Sequence, residues 1–169
     1  MKKYIFDTSG LTNPLEVMPE DIHITLWDKV MTIFGSGQVF VNTEIFDEMV
    51  LIEGDVGSKL KNMESDIKLE IGEENWNWAK YVEIFNQMKS AHAEYISEYN
   101  QDRKGTIGLN DLSIIAMAKT LGLPLVNMEK ETLVIDPKSK RRRIPDICRA
   151  EGVQSMTFNE FLRAESISM

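Results

Sequence analysis

Five acidic residues in this chain fall where a carboxylate could do chemistry rather than only face solvent. Asp7 directly follows the short apolar run Tyr4-Ile5-Phe6, and Glu129 holds the comparable place after Leu125-Val126-Asn127-Met128. Asp111 opens a helical segment, where negative charge is favoured by the helix dipole. Glu44 and Glu48 are four apart and so share one face of another helix. Taken singly, each has an ordinary explanation as a first-turn acid or part of a solvated face. Gathered at one place, they would bind a hard divalent cation, which prefers oxygen ligands. Softer chemistry is excluded. The single Cys148 permits neither an intramolecular disulfide nor a multi-cysteine zinc site, and His23 and His92 are too few for a His/Cys cage.

Charge patterning adds a second feature. Residues 1–137 hold 12 Lys or Arg against 23 Asp or Glu, whereas residues 138–169 hold 7 against 4. An acidic body does not draw polyanions over long distances. The cluster Lys138, Lys140, Arg141, Arg142 and Arg143 could still hold a phosphate backbone locally; the plainer reading is a solvated loop.

The elements that must position these residues alternate between strand and helix patterns. Residues 3–6 predict a buried strand ending in a turn at Asp7-Thr8-Ser9-Gly10. Ile22, Leu26, Val30, Ile33 and Phe34 predict a helix over 20–34, and 38–41 a second strand. Asn42 or Thr43 would cap the helix carrying Glu44 and Glu48. Residues 54–73 are broken by glycines and resist assignment, and a long amphipathic helix then runs from Trp78 to Tyr99. A polar loop over 100–109 leads to a helix capped by Asn110 and stopped at Gly122. A third strand follows at 124–128. The charged excursion 130–143 could contain a hairpin through Leu133-Val134-Ile135, and Ile144–Ala150 predict a short helix with Pro145 in its first turn. Val153-Gln154-Ser155 read as a last strand, with a final helix capped by Thr157.

This alternation predicts an α/β fold, a mostly parallel sheet covered by helices, with ligands at the carboxyl ends of the strands. At 169 residues, 43% hydrophobic and 27% charged, the chain reads as one globular domain over 1–169. It has no apolar run of the roughly 20 residues needed to span a bilayer. The apolar stretch after Lys2 and Lys3 is too short for a signal peptide, so the cytoplasm is the expected compartment.

The order of the acids resembles that of the PIN-domain nucleases over nearly the whole chain. The matching pieces are Tyr4-Ile5-Phe6-Asp7-Thr8-Ser9, Val41 to Met49 around Glu44 and Glu48, Asn110-Asp111-Leu112-Ser113, and Leu125-Val126-Asn127-Met128-Glu129. The tail Arg143-Ile144-Pro145-Asp146-Ile147-Cys148 is similar to a toxin-like bacterial and phage branch. The resemblance implies a PIN-like three-layer fold and a ribonuclease dependent on Mg²⁺ or Mn²⁺. It also implies RNA as substrate, an antitoxin protein as partner, and a homodimer. On it, Asp7 is the central ligand, Glu48 the second acid (Glu44 being the alternative), and Asp111 and Glu129 complete the cluster. Thr8 or Ser9 would donate to a carboxylate or to the scissile phosphate; Asn127 and Arg141, Arg142 and Arg143 would contact substrate. The chain departs from the family at Ser9, more often Asn, at Asn127, usually Thr or Ser, and at Glu129, usually Asp. Asp146 reads either as a further cluster acid or as a helix-start acid.

A phosphatase of the haloacid-dehalogenase type, which also begins with a strand and an Asp, needs a second acid two residues on; Ser9 stands there. The remaining rival is a catalytically inactive PIN-like scaffold for binding or assembly. Trp76, Trp78 and Tyr81 could stack on bases, though their helical spacing favours packing. His92 reads as a core-edge residue and Cys148 as a small buried hydrophobe.

Overall fold

The computed structural model describes every residue except Lys2 and Met169. A four-stranded, wholly parallel sheet lies at its centre in the order β2-β1-β3-β4. The strands are β1 (Tyr4–Phe6), β2 (Val39–Phe40), β3 (Leu125–Val126) and β4 (Ser155–Met156). β1 pairs Tyr4 with Val39 and Ile5 with Phe40 on one side, and Ile5 with Leu125 and Phe6 with Val126 on the other. A parallel strand covered on both faces has no solvent side, which is why β1, β2 and β3 are apolar at every position and buried throughout. The edge strand β4 is the exception.

Helices α1 (Ser9–Val17), α2 (Ile24–Gly35), α3 (Thr43–Met49), α4 (Gly54–Lys61) and α5 (Glu64–Ile67) occupy the first half. α6 (Trp78–Ala91), α7 (Leu109–Leu121), α8 (Ile144–Glu151) and α9 (Phe158–Ala164) complete the covering layers. α7 is buried from Leu112 through Ala118, apolar all round except for Ser113, as befits a helix enclosed by α6, α8 and β1. Below the sheet, Phe6 packs edge-on against Phe34 and Phe161 at centroid distances of 4.8 and 5.0 Å.

Several local expectations change. The turn after Asp7 is instead the start of α1, which passes so close to β3 that a Cβ on Gly10 would lie 2.9 Å from the Val126 carbonyl oxygen. Only glycine fits there. α2 begins at Ile24, leaving Ile22 outside it and exposed. The long helix stops at Ala91 and breaks into two 3₁₀ turns, Ala93–Tyr95 and Ser97–Tyr99, because Ile107 donates to the Tyr95 carbonyl and Ser97 to that of Ile107. Residues 54–73 hold the two short helices α4 and α5. Leu133 and Val134 lie in a loop, exposed, rather than in a hairpin, and the last strand falls at Ser155–Met156.

Candidate active site

Four elements bring their acids to the carboxyl end of the sheet. Asp7 leaves β1, Glu129 follows β3, Asp111 sits in the first turn of α7, and Glu48 lies near the end of α3. Asp7 is 3% exposed. Its Oδ2 accepts the Ser9 hydroxyl at 2.6 Å and the Ser9 backbone N–H at 3.0 Å, while its Oδ1 is buried with no hydrogen-bond partner. Ser9 Oγ also accepts the Met128 N–H at 3.2 Å, locking the strand-to-helix turn to β3. Thr8 donates to Glu48 Oε2 at 2.7 Å and the Asn110 amide to Glu48 Oε1 at 3.0 Å. Glu129 Oε2 accepts the Ile144 N–H at 2.8 Å.

Burial and like charge act together on these carboxyls. Burial raises the Asp7 carboxyl, Ser9's hydrogen bonds pull it down, and Glu129 and Glu48 push it up again. Asp111 is pushed up to about 8, first by burial and then by the charges of Asp7, Glu129 and Glu48, against a hydrogen bond from the Gly108 backbone. Burial, then Asp7 and Glu129, raise the Cys148 thiol to about 12, so this buried sulfur stays protonated. No lysine or arginine among the described residues forms an ion pair with any of the four acids. Among the described residues, no three His, Cys, Asp or Glu side chains converge closely enough to hold an ion as they stand. Each acid leans on a neutral donor.

Glu44 is exposed and its charge acts on Tyr81 instead, so Glu48 is the member of that helical pair that faces the cluster. Asn127 is turned inward: its amide donates to Ser155 Oγ at 2.9 Å and its Oδ1 accepts the Glu129 N–H at 3.2 Å, so it ties β3 to β4 rather than facing solvent. Arg141 and Arg143 are exposed, but Arg142 is buried. Its guanidinium stacks 4.2 Å from the Tyr95 ring centroid and donates to the Ser139 and Arg141 carbonyls at 3.0 and 2.6 Å. Arg142 therefore anchors the basic arm, because a guanidinium satisfies its donors best where carbonyls and a ring face are already arranged. Asp146 is a helix-start acid, accepting the Arg143 N–H at 2.9 Å. Trp76 and Tyr81 pack on each other, 5.1 Å apart, in the core, and His92 bonds Glu151 at 2.6 Å.

Other residues support the site without an obvious sequence signal. Asn42 caps α3 by accepting the Ile45 N–H and donates to Ser113 Oγ at 2.8 Å; Ser113 in turn donates to the Asn110 carbonyl at 2.6 Å. This buried strut spaces the helix of Glu48 from that of Asp111. Glu98 caps α7 by accepting the Leu109 N–H with both oxygens, at 3.1 and 3.0 Å. A cleft of about 580 Å³ opens beside Glu129, with Met128, Lys130, Pro145, Arg149 and Thr157 in its walls.

Fold and site together describe a parallel α/β protein with a carboxylate cluster at the end of its sheet, buried at Asp7, half-buried at the other three and without an ion-pair partner among the described residues. The chain belongs to the family described as a domain of unknown function, DUF4411, whose family model matches residues 4–169. No curated protein matches it. Among solved structures, it is similar to the DNA-bound VapBC from Salmonella typhimurium, with 13% identity and a TM-score of 0.47 over 94% of this chain and 99% of that one. No helix among the described residues is long and apolar enough to cross a membrane.

Proposed function

We propose that this single-domain protein is a cytoplasmic, divalent-metal-dependent endoribonuclease whose acid centre is Asp7, Glu48, Asp111 and Glu129. The observation that carries the reading is the buried, partnerless Asp7 Oδ1 set among three further carboxylates. A buried oxygen without a partner is costly, and a set of like charges without a counter-ion more so. The donor set is all oxygen, which fits Mg²⁺ or Mn²⁺. Such an ion, when bound, stabilises charge on the attacking and leaving oxygens of a phosphodiester.

The chain's own residues prepare that chemistry. Ser9 fixes Asp7 Oδ2 and leaves Oδ1 for a ligand. Thr8 and Asn110 hold Glu48, so the hydroxyl of Thr8 serves a carboxylate. Glu48 and Glu129 are only half-buried, so each is held by neutral donors while staying open to solvent beside Asp7. Because the centre itself repels RNA, Arg141 and Arg143 supply the local positive charge that brings the backbone near; Arg143 immediately precedes Ile144, whose amide holds Glu129. The resemblance to PIN-domain toxins adds an inhibitory antitoxin protein and a homodimer to this reading.

The test is cleavage of labelled single-stranded RNA with Mn²⁺, Mg²⁺ or EDTA, beside Asp7→Asn purified identically. The expected result is cleavage with either ion, abolished by EDTA and by the substitution. Equal cleavage by both proteins, or none by either together with no ion-induced shift in Tm, overturns the reading and leaves a binding scaffold.

A further inference from the structure

The proposed function gives Asp146 no part, although it is 3% exposed. Both its oxygens are already spent: Oδ1 accepts the Thr132 N–H at 2.9 Å, and Oδ2 accepts the Thr132 hydroxyl at 2.8 Å and the Arg143 N–H at 2.9 Å. It has little left to offer an ion. What these bonds do is join residue 132 to residue 143 and close the neck of the basic arm. Glu129 stands three residues before Thr132, and Ile144 follows Arg143 directly. The 2.8 Å bond from the Ile144 N–H to Glu129 Oε2 is therefore fixed at both ends by one carboxylate. The first amides of α8 have no intrahelical partners. Two of the amides at this end are used here, that of Arg143 on Asp146 and that of Ile144 on Glu129.

We propose that Asp146, acting through Thr132, is a positioning residue for Glu129, holding that acid at the cluster and the arm that carries Arg141 and Arg143 in place beside it. The proposal rests on the reading of Glu129 as an acid of the metal centre. Outer groups that orient a ligand change metal affinity by about 10–100-fold when lost.

Thr132→Val removes one hydrogen bond and keeps the shape, and Thr132→Ser restores the hydroxyl, so both leave the fold standing where Asp146→Ala need not. Mn²⁺ affinity by calorimetry and hydrogen exchange at the Ile144 amide are measured for each variant. Thr132→Val is expected to weaken Mn²⁺ binding about tenfold and speed Ile144 exchange, with Thr132→Ser restoring both. In a Glu129→Gln background, Thr132→Val should have no further effect on Mn²⁺. Unchanged Mn²⁺ affinity in Thr132→Val, or an effect that persists without Glu129, overturns the proposal. If the wild-type protein binds no Mn²⁺, the nuclease reading falls, and Ile144 exchange alone decides whether Asp146 positions Glu129: faster in Thr132→Val and restored in Thr132→Ser upholds it, unchanged sinks it.

Discussion

Asp111 shows at the scale of one residue what the cluster costs. Its carboxyl is raised to about 8 by burial and then by three neighbouring acids. A group raised on folding contributes stability below its unfolded value of 3.8, which is lost as pH climbs through its folded value. In EDTA, Asp111→Asn should therefore melt higher than wild type, with the gap opening between pH 4 and 8. About 1 kcal/mol moves Tm by roughly 2–4 °C in a chain of this size, so a gain of several degrees is expected by calorimetry; a lower Tm for the variant at pH 8 would show that Asp111 is satisfied. Sequence could indicate that Asp7, Asp111 and Glu129 sit at strand ends and a first turn, since those placements are local. It could not choose between Glu44 and Glu48. They share a helical face, and which one turns toward the sheet depends on how α3 is rotated against α7 by the Asn42–Ser113 strut. Arg142 was equally opaque: within a run of basic residues, its inward turn is set by Tyr95, 47 positions away.

Among the elements, the arm over 130–143 separates two roles that a basic run conflates. Arg142 holds it down, through Tyr95, the Ser139 carbonyl and its own N–H to the Gly105 carbonyl at 3.1 Å, while Arg141 and Arg143 face outward. Arg142→Ala should loosen the arm, giving faster proteolysis between residues 133 and 141. Joint replacement of Arg141 and Arg143 by Ala should leave cleavage resistance intact and flatten the salt dependence of RNA binding by up to about two phosphate contacts. An unchanged salt slope would remove these arginines from the interface. The sheet and most helices were legible because parallel strands and buried helices carry continuous apolar runs. The break after Ala91 was not, since the bonds that end α6 come from Ile107, beyond a polar loop.

Across the whole molecule, α6, α7 and α8 are tied at the end remote from Asp111 by Glu151, which takes His92 at 2.6 Å and Lys119 at 2.6 Å. Burial would raise the Glu151 carboxyl, but the bonds from Lys119 and His92 outweigh it and hold it below its ordinary value. A depressed carboxyl stabilises above its unfolded pKa and stops doing so as pH falls through the folded one. Wild type should thus lose its Tm advantage over Glu151→Gln as pH drops below 4.5; an advantage undiminished at pH 3 would assign the junction to packing alone.

Tyr4 donates to Glu165 at 2.6 Å, 161 positions away, and meets Phe161 edge-on at 5.0 Å. The strand that delivers Asp7 is thus clamped by the last helix, while Asp111 and Glu129 arrive from the chain's second half. During synthesis, all four acids have been made by Glu129, yet β1 gains this clamp only when α9 has emerged and docked. A nascent chain, or any fragment ending short of α9, lacks that clamp, so the strand carrying the most deeply buried acid is the last of the four supports to be secured.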